Sequence, residues 1–189
     1  KEVVITGTDG KYFTITSGLT LKFKSTISGD FETKSSYSIT ITATDNDNIS
    51  LTKNLTLNII DANDAPTNIS LSSGNAAENS AGAAFGTLTT TDQDAGDTFS
   101  YSVSGGADAS SFEVGSNNVL KFKSTVSGNF ETKSSYSVTV TSVDSGSKSV
   151  STALSASLLD VNESPTDISL SGGRVLENLA GATFGTLTT

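Results

Sequence analysis

The sequence repeats itself at a spacing of 99 residues, and that period limits the folds open to it. Phe23 recurs as Phe122, Asp61 as Asp160, Pro66 as Pro165 and Phe85 as Phe184. Between 21–42 and 120–141, 18 of 22 positions are identical, and between 67–90 and 166–189, 17 of 24 are. The period predicts one complete module over 67–165. Residues 1–66 then form the C-terminal two-thirds of a preceding module, and 166–189 the opening strands of a following one. Both ends fall inside modules, so the expectation is a longer natural protein with more copies.

Within a module the apolar residues alternate with period two, the signature of half-buried strands. Tyr136, Val138 and Val140 share one face, as do Tyr37, Ile39 and Ile41. Leu55, Leu57 and Ile59 form another stripe, matched by Leu154, Ala156 and Leu158. Phe99, Tyr101 and Val103 make a third type, and Ile69 with Leu71, then Phe85 with Leu88, open the module. Ser and Thr make up 60 of 189 residues, which suits strands and turns better than helices. About seven short strands in 99 residues predict an all-β chain of tandem antiparallel Greek-key β-sandwich modules. The same alternation buries Phe23 and Phe122 and leaves Lys22, Lys24, Lys121 and Lys123 on a solvated face.

Between modules lies Asp61-Ala62-Asn63-Asp64-Ala65-Pro66, which returns as Asp160-Val161-Asn162-Glu163-Ser164-Pro165. Proline lacks an N–H and fixes φ, so each copy reads as an extended connector and not as a central strand.

Net charge is −9 with a pI near 4.3, which argues against nucleic acid and anionic membranes as partners and favours cations. There is no Cys and no His, so disulfides, thiolate or imidazole metal sites and a histidine base are excluded. No stretch approaches the roughly 20 apolar residues of a membrane helix. A phosphate-cradling glycine loop and a dinucleotide fingerprint are also missing, so an enzyme is not expected.

The acids fall into small groups. Asp30 and Glu32, Asp61, Asn63 and Asp64 in the connector, and Asp92, Asp94 and Asp144 in the next module bring seven carboxylates and one amide toward the first junction. Calcium takes 6–8 hard oxygen ligands, which such a set can supply. Each close carboxylate pair would otherwise repel by about 1–4 kcal/mol, so two or three ions are expected. The residues Asp47, Asp97 and Asp108 read as ordinary solvated turn residues.

These groups, in this order, resemble the calcium-binding motifs of cadherin repeats. Ala77-Glu78-Asn79 and Leu176-Glu177-Asn178 are similar to the family's strand-A glutamate motif, and Asp92-Gln93-Asp94 to its Asp-x-Asp motif. Asp30-Phe31-Glu32 resembles the Asp-x-Glu motif, with Asn129-Phe130-Glu131 as its later copy. The connector resembles the family linker, and Asp144 the last aspartate, with Asp45 in the matching place one module earlier. The resemblance implies calcium ligation by Asp30, Glu32, Asp45, Asp61, Asn63, Asp64, Glu78, Asp92, Asp94, Glu131, Asp144, Asp160, Asn162, Glu163 and Glu177. It also implies an immunoglobulin-like sandwich and an extracellular, cell-surface location. Asn129 in place of the Asp30 type and Glu163 in place of the Asp64 type predict a weaker second junction. The Ser/Thr-rich, Cys-free style is closer to bacterial cadherin-like surface proteins than to animal ones.

Three functional readings follow. The first is a calcium-rigidified spacer or adhesin repeat, its partners being calcium and neighbouring repeats. The second is a filament subunit, in which the opening strands of one chain complete the head of an identical chain. The third is a module for a glycan or cell-surface protein ligand, weakened because Tyr37, Tyr101 and Tyr136 sit on apolar faces. Asn-x-Ser/Thr sequons occur at Asn48, Asn54, Asn68 and Asn162.

Overall fold

Alternation of apolar and polar residues builds this chain almost entirely from strands, seen in a computed structural model that describes residues 2–189. The strands are β1 (Glu2–Thr6), β2 (Phe13–Ile15), β3 (Leu21–Phe23), β4 (Ser36–Thr44), β5 (Ser50–Asn58), β6 (Asn68–Leu71), β7 (Asn75–Ala77), β8 (Ala84–Thr91), β9 (Ser100–Gly105), β10 (Phe112–Val114), β11 (Val119–Phe122), β12 (Ser135–Val143), β13 (Ser149–Leu159), β14 (Ser169–Leu170) and β15 (Leu187–Thr188). The helical pieces among the described residues are single 3-10 turns. None is long and apolar enough to cross a membrane. Both prolines lie outside the strands, as their missing N–H requires.

The residues group into two compact units. One holds Lys1–Ser70, Thr89–Ser102 and Val140–Thr152, and the other Leu71–Leu88, Val103–Thr139 and Ala153–Thr189.

In the first unit β4 is the centre of a three-stranded antiparallel sheet, β1-β4-β5. Its register pairs Ile5 with Ile41, Tyr37 with Leu57 and Ile39 with Leu55, so one face carries the apolar stripe. The opposite face is laced by hydroxyl pairs such as Thr42 with Thr52, 3.0 Å apart. β2 and β3 form a separate hairpin in which Phe13 is paired with Phe23. The core here is Phe13, Tyr37 and Ile39, with Ile5, Leu21, Phe23, Leu55 and Ile59 packed around it.

The second unit places Phe85, Phe112 and Phe122 in mutual contact, with ring centroids 4.9–5.3 Å apart. All three are at most 2% exposed. Tyr136 meets the edge of Phe122 at 5.1 Å. β11 joins β10 on one side and β8 on the other, with Leu120 opposite Gly86. The two larger sheets run β10-β11-β8-β6 and β7-β13-β12-β9.

The pairs β1–β4, β4–β5, β2–β3, β8–β11, β10–β11 and β14–β15 are antiparallel, whereas β7 runs parallel to β13, Ser157 opposite Asn75. The cause is a switch at Gly74. Its φ of +82° turns the chain between β6 and β7, a conformation that favours glycine. Gly74 N–H donates to Phe85 O at 2.8 Å, and Gly74 O accepts from Ser157 N–H at 2.7 Å. A single residue therefore bonds to both sheets.

Candidate metal centres

Acidic side chains cannot occupy the buried face of an alternating strand without a partner, so they collect where strands end. Asp61 follows β5, Asp92, Asp94 and Asp97 follow β8, and Asp144 follows β12. Glu78 follows β7, Asp160 follows β13, and Glu32 and Glu131 lie in the loops before β4 and β12.

Among the described residues, two carboxylate groups form within the first unit. Glu32, Asp61 and Asp94 offer oxygens that all lie within 4.8 Å of one another, and so do Asp92, Asp97 and Asp144. The groups are tied together locally. Asp64 N–H donates to Asp94 Oδ2 at 2.6 Å, and Asp94 N–H donates to Asp92 Oδ1 at 3.3 Å. Asn63 Nδ2 donates to Asp64 O at 2.8 Å and to Asp144 Oδ2 at 3.2 Å. Asp144 is 6% exposed and also accepts the Lys148 N–H through Oδ1 at 2.8 Å. The Lys148 ammonium donates to Asn63 O. Asn63 lies against the Cα of Gly146, where a Cβ would come within 2.1 Å of Asn63 Oδ1.

The charges are felt. A hydrogen bond from its own N–H pulls the Glu32 carboxyl down, yet desolvation and the charges of Asp61, Asp64 and Asp94 outweigh it and hold Glu32 above its ordinary value. Among the described residues, three buried side-chain oxygens have no hydrogen-bond partner: Asp92 Oδ2, Asp94 Oδ1 and Asp97 Oδ2. Leaving a buried charged oxygen unpaired is costly, and all three belong to the two groups. Hard anionic oxygens without donors form the donor set that suits calcium.

The second unit repeats the arrangement on Glu78, Glu131 and Asp160, again with oxygens within 4.8 Å. Glu78 is 3% exposed and is held from both sides. Its Oε2 accepts from Phe130 N–H at 2.6 Å and its Oε1 from Val161 N–H at 2.8 Å.

Several expected ligands sit outside these groups. Asp30 turns into its own loop, accepting Thr33 N–H at 2.8 Å and Thr33 Oγ1 at 2.9 Å. Those bonds lower its pKa. Asp45 accepts from Asp47 N–H and Ile49 N–H, each at 2.9 Å. Glu163 accepts from Asn79 Nδ2. Asn162 and Glu177 are exposed. The sequon asparagines Asn48, Asn54, Asn68 and Asn162 are all exposed.

Asp97, which reads in the sequence as a solvated turn residue, lies with Asp92 and Asp144 and has one buried oxygen. Its signal is its distance along the chain: it follows Asp92-Gln93-Asp94 closely enough for one loop to hold all three acids. Asp108 is likewise engaged, paired with Lys133. The tyrosines are occupied too: Tyr101 Oη accepts from Thr90 Oγ1 at 2.8 Å, and Tyr12 meets Tyr37 edge-on at 5.7 Å.

Solved structures of cadherin extracellular domains share this architecture. The first two extracellular domains of human protocadherin-24 match with a TM-score of 0.66 at 19% identity, over 85% of this chain and 82% of that one. Protocadherin gamma B7 extracellular cadherin domains 1–4 match with a TM-score of 0.65 at 22% identity, over 93% of this chain and 46% of that one. The protocadherin gamma B4 extracellular domain matches with a TM-score of 0.63 at 20% identity, over 99% of this chain and 32% of that one. No family model and no curated protein sequence matches the chain. The fold is therefore the cadherin-domain fold, a β-sandwich of largely antiparallel sheets.

Proposed function

We propose that the chain is a stretch of calcium-clamped cadherin-like repeats in an extracellular spacer or adhesin, with the complete module at 67–165. The observation that carries this reading is the trio of buried, unpartnered oxygens on Asp92, Asp94 and Asp97 beside Glu32, Asp61 and Asp144. A divalent cation there supplies the missing electrostatic partner. It would also stiffen the connector, because Asp61 lies within it and Asn63 and Asp64 bond to the neighbouring acids. Glu78, Glu131 and Asp160 would hold a further ion. We read the protein as non-enzymatic and its surface as that of a bacterial cell-surface protein, on its Ser/Thr-rich, Cys-free composition.

Small-angle X-ray scattering with and without a chelator, alongside thermal melts, tests the proposal. Chelation is expected to loosen the particle and lower its melting temperature. Identical scattering and identical melts in the two conditions would sink it.

A further inference from the structure

Ser142 stands where alternation calls for an apolar side chain. It continues the stripe of Val138 and Val140 along β12, and all three are fully buried. One period earlier the equivalent residue is Ala43, so the repeat itself does not require a hydroxyl there. A polar group in a core either finds a partner or costs stability. Ser142 finds its partner across the sandwich. Its Oγ lies 2.7 Å from Thr90 Oγ1, which in turn donates to Tyr101 Oη at 2.8 Å. A hydroxyl has a single proton, so Ser142 is the donor in the first of these bonds. Thr90 belongs to the sheet β10-β11-β8-β6, and Ser142 and Tyr101 to the sheet β7-β13-β12-β9. The hydroxyl chain therefore ties one sheet to the other.

The tie lies close to the acids. Thr90 is the last residue but one of β8, and Ser142 the last but one of β12. Two residues beyond each comes a carboxylate, Asp92 after Thr90 and Asp144 after Ser142. Both belong to the group completed by Asp97, with oxygens within 4.8 Å of one another. One acid thus leaves each sheet, and their separation depends on how far apart the sheets are held at these ends. Apolar contact has no preferred direction, whereas a hydrogen bond between two short side chains fixes one separation.

We infer that Thr90, Ser142 and Tyr101 are positioning residues for the Asp92–Asp97–Asp144 group, and that by fixing the spacing of its carboxylates they set its preference for calcium over magnesium. The inference rests on the calcium reading above. Magnesium demands near-octahedral oxygens at about 2.0–2.1 Å, while calcium accepts looser geometry at about 2.3–2.6 Å. Carboxylates held apart by the tie cannot close around the smaller ion. Residues that orient ligands without being ligands commonly govern metal affinity in this way.

Calorimetric titration of the 189-residue chain with calcium and with magnesium, alongside melts in a chelator, tests this. Thr90→Val keeps the branched shape and removes the link, and Ser142→Ala installs the residue of the earlier repeat. Each is expected to weaken calcium binding by about 10–100-fold and magnesium binding by less, so the preference narrows. Thr90→Ser, which keeps the hydroxyl, should retain the preference of the unmodified chain. Val138→Ala opens a cavity in the same stripe of β12 and should lower the melt in chelator while leaving the preference intact. Calcium affinity unchanged in Thr90→Val and Ser142→Ala, calcium and magnesium weakened in step, or the same narrowing in Val138→Ala would each overturn the assignment. The calcium reading is judged separately, on the unmodified chain: no calcium uptake there overturns both readings, whereas uptake that the hydroxyl variants leave unaltered overturns this one alone.

Discussion

Lys34 Nζ lies 2.9 Å from Asp9 Oδ1 across 25 residues of sequence, and Lys133 meets Asp108 in the same way one period later. In both places the second carboxylate oxygen accepts a strand N–H: Ser38 at 2.7 Å and Ser137 at 2.8 Å. Each lysine also lies over a tyrosine ring, Lys34 over Tyr37 at 5.1 Å and Lys133 over Tyr136 at 5.0 Å. The pair thus anchors the turn before β2 or β10 to the start of β4 or β12.

The Lys34 hydrogen bond, helped by the Ser38 N–H, holds Asp9 below its ordinary pKa of 3.8, and Lys133 with Ser137 does the same for Asp108. A depressed carboxyl adds stability that is complete above the unfolded value and is lost as pH falls below it. Thermal melts between neutral pH and about pH 2.5 should therefore fall steeply below about pH 4. Asp9→Asn with Asp108→Asn should melt lower at neutral pH and show a shallower acid limb. An acid limb of unchanged steepness in the double variant would refute the assignment.

Glu32 predicts a slope of the opposite sign. Its carboxyl is raised above 4.5 by desolvation and by Asp61, Asp64 and Asp94, against the pull of its own N–H. A raised carboxyl contributes stability below the unfolded value that disappears as pH rises through the folded one. In a chelator, this term should make the melting temperature decline as pH rises just above the ordinary glutamate range. Glu32→Gln should remove that decline, and added calcium should reverse it in the unmodified chain. Melts at four or five pH values, with and without the chelator, decide the matter.

Asp97 and Asp47 separate ligand from turn residue. Asp97→Asn should weaken calcium binding by about tenfold or more, since it removes one charged oxygen from a set of three. Asp47→Asn should leave calorimetric binding unchanged, because Asp47 is exposed and its N–H serves only the Asp45 turn. Equal effects from the two variants would remove Asp97 from the site.

At Gly146 the added methyl group of alanine would meet Asn63 Oδ1 at 2.1 Å. Forcing the amide aside should cost about 1–3 kcal/mol, the usual range for overpacking. It should also break the Asn63–Asp144 hydrogen bond, so chemical denaturation and calcium affinity should both report Gly146→Ala. Gly96→Ala is the comparison without a clash: no atom lies within 4 Å of the added carbon, so it reports only the backbone strain of a φ of +97°.

Much of this was legible beforehand. Alternation at Tyr37, Ile39, Val138 and Val140 named the buried faces, since a strand has only two sides to offer. The repeat showed that Phe23 and Phe122 occupy equivalent places, and the acids grouped where strands end. Less legible were the contacts that depend on backbone path. Asp108 looks like any turn aspartate until the chain returns Lys133 to it 25 residues later. Asp97 looks like its neighbours until the loop curls its buried oxygen toward Asp92 and Asp144. The parallel pairing of β7 with β13 hangs on the dihedral angle of one glycine, which no periodicity records.

That pairing bears on what happens when the chain is pulled. β7 lies far ahead of β13 along the chain, and the two run side by side in the same direction. Tension applied along the polypeptide drags β7 backward and β13 forward. The bonds joining 75–77 to 157–159 are then loaded together, in shear, and cannot be opened one at a time from an end. Gly74, bonded to Phe85 and Ser157 at once, passes part of that load to the other sheet. A chain threaded in this way meets force with its strongest geometry.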